Sequence, residues 1–149
     1  MNRLSNYLVA LVEDNRDDAF LIQRSLRQAG LSRPVIVFED GDTIVQYLSG
    51  EGMYADRDRY PLPDLLLLDL KLPRRDGFEV LRWLREQPGL CRLVVAVLTG
   101  SRQHADVQRA YELGANSYLV KPVGLQAVTT LGESLCRYWA TVNEGPLLS

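Results

Sequence analysis

The sequence predicts an α/β fold in which a five-stranded parallel sheet is covered by helices on both faces. Three observations carry this. Short apolar runs alternate with longer stretches of helical period, five times over. One of those runs, "DLLLLD" (64–69), is apolar on both faces of a strand, as a doubly covered sheet requires. The chain has 149 residues, 46% of them hydrophobic, enough for one domain with its own core and little more.

In chain order, "YLVALVE" (7–13) reads as a buried strand, and "DDAFLIQRSLRQAG" (17–30) as a helix with an acidic first turn and a glycine stop. "PVIVFED" (34–40) is the second strand and "GDTIVQYLSG" (41–50) the second helix. The polar stretch 51–63 is longer than such units usually need. "DLLLLD" (64–69) is the third strand, followed by a helix over "DGFEVLRWLREQPG" (76–89). "LVVAVLTG" (93–100) and "SRQHADVQRAYELGA" (101–115) form the fourth pair. "SYLV" (117–120) is the last strand, before a long closing helix over 123–143.

Parallel strands joined by right-handed crossovers leave few topologies, and five such units favour the flavodoxin-like order 2-1-3-4-5. In that order strands 1 and 3 are neighbours, and ligands bind beyond their carboxyl ends. Glu13 and Asp14 follow strand 1, Asp69 ends strand 3, Thr99 ends strand 4 and Lys121 ends strand 5. Taken singly, each has an ordinary explanation: an acidic helix start, a strand-end turn residue, a backbone-bonded hydroxyl, a surface lysine. Together they put three carboxylates, a hydroxyl and an ammonium on one rim.

Carboxylates packed so closely raise one another's pKa unless a cation intervenes. Mg²⁺ suits hard oxygen ligands of this kind. A carboxylate is also a nucleophile toward phosphorus. Phosphoryl transfer needs mainly positioning and charge neutralisation, which a metal, a lysine and a hydroxyl supply.

The blocks "LVALVEDN", "DLLLLDLKLPRRDG", "VAVLTG" and "GANSYLVKP", in this order, resemble the receiver domains of two-component response regulators. The resemblance covers about residues 6–140 of a single receiver domain spanning 1–149, with an extension over about 141–149. It implies that Asp69 is the phosphoacceptor. It implies that Asp14 ligates Mg²⁺ directly, with Glu13 acting mainly through water and Lys71 offering its backbone carbonyl. Thr99 and Lys121 would contact the phosphoryl group, and Tyr118 would be the aromatic switch. A cis Lys121–Pro122 bond is expected on the same ground. Pro73 and Gly77 are expected to shape the loop after Asp69, with Gly77 supplying backbone freedom. The long loop before strand 3 and the extended last helix resemble the stand-alone regulators that partner phytochrome-type histidine kinases.

The four apolar residues of "AFLI" (19–22) cannot all face the sheet, so some apolar surface is expected outside, and the resemblance implies that Phe20 or Ile22 there meets the kinase. Tyr138, Trp139, Leu147 and Leu148 lie at or past the end of the sheet's shelter, and a homodimer interface is expected there. No output domain, signal peptide or membrane span is evident, and the protein is expected in the cytoplasm. Two cysteines without metal-ligand spacing fit reduced thiols. A net charge of −2 without a basic stripe argues against a nucleic-acid surface.

Two rivals stand beside this reading. A haloacid-dehalogenase-type phosphatase wants a second aspartate two positions after the nucleophile, and Lys71 stands there. A phosphate-independent pseudo-receiver would lack one of the required residues, and all are present. A non-enzymatic phosphoacceptor that signals through protein contacts is the preferred reading.

Overall fold

The structure, a computed structural model, describes residues 3–146, with only the backbone of Arg3. Leu147 and Leu148 lie outside the described residues. Five strands, β1 (Val9–Val12), β2 (Ile36–Phe38), β3 (Leu65–Leu68), β4 (Val95–Thr99) and β5 (Ser117–Val120), form one sheet. Its order is β2-β1-β3-β4-β5 and all pairings are parallel, as expected. The helices are α1 (Arg16–Gln28), α2 (Gly41–Ser49), α3 (Gly77–Glu86), α4 (His104–Glu112) and α5 (Leu125–Leu135).

The four leucines of β3 explain themselves once both faces are seen. Leu66 and Leu68 enter one core layer with Ala10, Val12, Val95 and Val97, packed with residues of α2, α3 and α4. Leu65 and Leu67 enter the other with Val9, Leu11, Ala96 and Leu98, packed with residues of α1 and α5. Strand geometry sends successive side chains to opposite faces, so only a strand buried on both sides takes an unbroken apolar run.

Helix starts follow local chemistry. Asn15 caps α1 by accepting from the Asp18 N–H, Asp40 caps α2 by accepting from Thr43, and Asp76 forms a reciprocal capping box with Glu79 on α3. The fourth helix begins at His104 rather than 101. Residues 101–103 are spent on a turn in which the Ser101 hydroxyl donates to Asp106 and accepts from the Gln103 N–H.

The long loop over 51–63 is packed rather than loose. It contains a short 3₁₀ turn, Gly52–Ala55, and its Tyr54 and Tyr60 rings pack edge-on or tilted in a chain with Tyr47 and Phe38, at centroid distances of 5.1–5.2 Å between successive rings. The Arg57 guanidinium donates to the carbonyls of Tyr47, Leu48 and Tyr60, tying the loop to the end of α2.

The closing helix differs from expectation at its far end. Regular winding stops at Leu135 and a π-helical stretch, Cys136–Val142, continues it. Cys136 and Ala140 are buried by this rewinding, and Trp139 packs against the α1–α5 core layer. Of the two aromatic residues expected at a dimer interface, Tyr138 alone stays outside, 52% exposed, with Val142. Ile22 is likewise turned inward at 3% exposure, while Phe20 stands out at 58%. Successive helix positions are about 100° apart, so a sheet-facing Ile22 carries Phe20 to the opposite side.

Candidate functional site

Sheet register delivers the two acidic strand ends side by side. Val12 pairs with Leu68, so the next residues, Glu13 and Asp69, leave the sheet together. The Asp69 N–H donates to the Val12 carbonyl at 3.2 Å, and the Glu13 N–H to that of Phe38 at 2.9 Å. On the other side the Lys121 N–H donates to the Thr99 carbonyl at 2.8 Å. Backbone bonds thus fix the four strand ends before any side chain is placed.

Carboxylate oxygens of Glu13, Asp14 and Asp69 lie within 4.8 Å of one another. Glu13 and Asp69 are buried, at 2% and 6% exposure, while Asp14 faces solvent. The Lys121 ammonium approaches Glu13 Oε1 at 2.5 Å, Asp69 Oδ2 at 2.9 Å and Asp18 Oδ2 at 3.1 Å. Burial by itself pulls this ammonium down, but the hydrogen bonds and charges of Glu13 and Asp69 outweigh it, and Lys121 stands above the ordinary lysine value. Lys121 is therefore a fixed positive charge.

Burial pushes the Glu13 carboxyl up to about 7, against the lowering effects of Lys121 and the Asn15 N–H. Glu13 Oε1 is buried against the Lys121 ammonium at 2.5 Å, and its Oε2 accepts from the Asn15 N–H at 3.1 Å. Three carboxylates this close, two of them buried, suit a divalent cation and its water shell. Glu13, Asp14 and Asp69 would hold Mg²⁺, which when bound neutralises the crowded carboxylates and polarises a phosphoryl oxygen.

These groups open into a cleft of about 580 Å³, lined also by Lys71, Thr99, Gly100 and Ser101. The Lys71 side chain is exposed, and its N–H donates to Asp69 Oδ1 at 3.3 Å. Thr99 is buried at the end of β4. Tyr118 is half-buried, with its hydroxyl donating to the Ser101 carbonyl at 3.0 Å, and burial pushes its phenol up. The aromatic ring and the loop after Thr99 are thereby joined.

Two expectations change. The Lys121–Pro122 bond is trans, the isomer ordinarily favoured even before proline. Gly77 does not need a left-handed backbone; it needs the absence of a Cβ, which would lie 2.2 Å from the Asp69 carbonyl oxygen. The residue that does adopt positive φ in this loop is Arg74, at 68°, held beside Asp40 by a 3.7 Å ion pair. Arg75 pairs with Asp42 in the same way, so this loop is clasped to α2. Sequence reading missed Asp18, because an aspartate in the first turn of a helix has a sufficient local reason to be there.

The comparisons with known proteins agree with this geometry. The family description "Response regulator receiver domain" matches residues 9–131. Response regulator Rcp1 of Synechocystis is 36% identical over 132 residues, covering 89% of this chain and 88% of that one. The phosphorylated cyanobacterial phytochrome response regulator RcpA superposes with a TM-score of 0.89 at 34% identity, covering 96% of this chain and all of that one. Response regulator RPA3017, from red light signalling of R. palustris, superposes at 0.87 with 32% identity, covering 95% and 99%. Among the described residues no helix is long and apolar enough to cross a membrane. A match over most of the length, on a sheet of this order with acids at these two strand ends, fixes the family: the chain belongs to the response regulator receiver domains.

Proposed function

We propose that this receiver accepts a phosphoryl group on Asp69 from a sensor histidine kinase, with Mg²⁺ as cofactor, and signals through phosphorylation-dependent protein contacts. One observation carries the reading. Asp69 is at once a member of the carboxylate triad and a partner, at 2.9 Å, of an ammonium held positive by its surroundings. A nucleophile between a cation site and a fixed positive charge is placed for attack on phosphorus.

In this reading Asp14 and the Lys71 carbonyl join Asp69 in holding the metal, and Glu13 acts through water. Thr99 and Lys121 receive the phosphoryl oxygens. Tyr118 reports the event by changing its contact with the loop at Ser101, a shift between two populations biased by new charge. The likeness to RcpA and RPA3017 supports a phytochrome-type kinase as the donor. The chain is not an enzyme in this scheme, though it assists its own phosphorylation. Incubation with acetyl phosphate, read by intact mass, tests it: a Mg²⁺-dependent phosphoryl adduct is expected, and its absence ends the reading.

Phe20 is the exposed apolar residue of α1 on the helix that starts at the acidic rim. Phe20→Ala slows transfer from the cognate kinase and leaves labelling by acetyl phosphate at the native rate, since the small donor needs no docking surface. Equal slowing with both donors removes Phe20 from the kinase contact.

A homodimer belongs to the same proposal, in narrower form, through Tyr138 and Val142 at the end of the π-helical stretch. Sedimentation is expected to give a dimer for the native chain and a monomer for Tyr138→Arg. A native chain that is monomeric at every concentration removes the dimer.

A further inference from the structure

Three carboxylates surround the Lys121 ammonium, and one of them lies outside the acidic triad. Glu13 and Asp69 both belong to the acidic triad, and Asp69 is the proposed nucleophile. Asp18 is neither. Its Oδ2 accepts from Lys121 Nζ at 3.1 Å, across 103 positions of sequence. The side chains of Glu13 and Asp69 are 1% and 8% exposed and that of Asp18 is 41% exposed, so Asp18 pulls from the solvent side and the other two from within.

We infer that Asp18 is a positioning residue for phosphoryl transfer, holding the Lys121 ammonium toward the mouth of the cleft where the donor's phosphoryl group arrives. The inference rests on the proposed phosphoacceptor role of Asp69. A lysine ammonium sits on a flexible four-carbon stem and takes its place from its partners. With two buried anions alone, it withdraws between them and masks the nucleophile. With Asp18 it stays shared across the rim.

The backbone of Asp18 is itself firmly placed. Its N–H donates to Asn15 Oδ1 at 3.0 Å, and the Asn15 N–H donates to Glu13 Oε2 at 3.1 Å. One asparagine therefore ties the inner and the outer partner of Lys121 into a single frame at the start of α1.

With acetyl phosphate the step balances without a further reactant. An Asp69 carboxylate oxygen forms the new bond to phosphorus, the bond from phosphorus to the acetate oxygen breaks, and acetate leaves with that electron pair. Lys121 donates to a non-bridging oxygen, and no proton or electron has to be supplied.

A purely repulsive role for Asp18 predicts the opposite sign. Deleting an anion near an anionic donor speeds its arrival if charge is all that matters. The experiment compares native chain, Asp18→Ala and Asp18→Asn with acetyl phosphate at saturating Mg²⁺, and titrates Mg²⁺ by thermal shift. Asp18→Ala is expected to lower the maximal rate about two- to fivefold, the worth of one partly exposed ion pair. Asp18→Asn, which keeps an oxygen acceptor at the same place, recovers most of that loss, and the Mg²⁺ midpoint does not move in either variant. A rate that is unchanged or faster in Asp18→Ala overturns the inference. So does an Asp18→Asn rate as low as that of alanine, or a Mg²⁺ midpoint that shifts with the rate. A native chain that takes no adduct overturns the phosphoacceptor reading, and this inference with it.

Discussion

An Asp69→Asn chain takes up no phosphoryl group from acetyl phosphate and Mg²⁺, under conditions in which the native chain gains one. The substitution changes little besides charge and nucleophilicity. Asparagine keeps the size of the side chain and an oxygen to accept the Lys71 N–H, which aspartate now accepts at 3.3 Å. Lys121 retains Glu13 and Asp18 as partners. What disappears is the anionic oxygen that attacks phosphorus, and a neutral amide does not replace it.

Stability is expected to move by only about 1 kcal/mol, because two effects of Asp69 oppose each other. The ion pair with Lys121 is lost, but so is the repulsion between the Asp69 and Glu13 carboxylates, a repulsion that helps to raise Glu13. Thermal melting without Mg²⁺ checks this, and added Mg²⁺ is expected to stabilise the variant less than the native chain. An adduct on Asp69→Asn, mapped by fragmentation to another residue, moves the phosphoacceptor elsewhere and breaks the proposal.

The sheet was readable from the chain because its central strands, β1, β3 and β4, are short apolar runs buried on two faces. No competing local structure explains "LLLL" between a proline-flanked loop and an aspartate. The rim was readable because its chemistry sits at strand ends, where topology alone decides the neighbours. Side-chain choices that depend on distant packing were not. Arg85 looks like any charged residue in the last turn of a helix. In the fold its guanidinium donates to the carbonyls of Cys91, Leu93 and Gly114 and to the Asn116 side chain, closing the loops around β4 and β5. The π-helical end of α5 was hidden for a different reason. Apolar residues every three or four positions fit α-helical winding, and the rewinding that buries Cys136 and Ala140 leaves no mark in that pattern. Asp18 needed the fold too, since its partner is Lys121 at the far end of the sequence.

Gly77→Ala is expected to damage both stability and phosphorylation. Gly77 opens α3, and its N–H donates to the Leu70 carbonyl at 2.9 Å, so the helix start rests directly on the backbone that follows the phosphoacceptor. A Cβ there would stand 2.2 Å from the Asp69 carbonyl oxygen, 2.7 Å from Leu70 Cα and 3.0 Å from the Asp69 carbonyl carbon. All three are backbone atoms, so no side chain can rotate aside. Either α3 lifts from the sheet or the segment carrying Asp69 shifts.

Lifting α3 loosens Phe78, Val80, Leu81 and Leu84 from the core, and overpacking of this kind costs about 1–3 kcal/mol. Shifting Asp69 breaks the alignment of its carboxylate with Lys121, and a displacement of about 1 Å lowers such a rate about a hundredfold. The two responses separate in measurement: chemical denaturation reads the first, and the acetyl phosphate rate on the folded fraction reads the second. Gly89→Ala is the matched control, because a Cβ there meets nothing within 4 Å. A Gly77→Ala chain with native stability and a native rate would mean that α3 does not hold the phosphoacceptor in place, and that the precision of the rim has its origin in β3 alone.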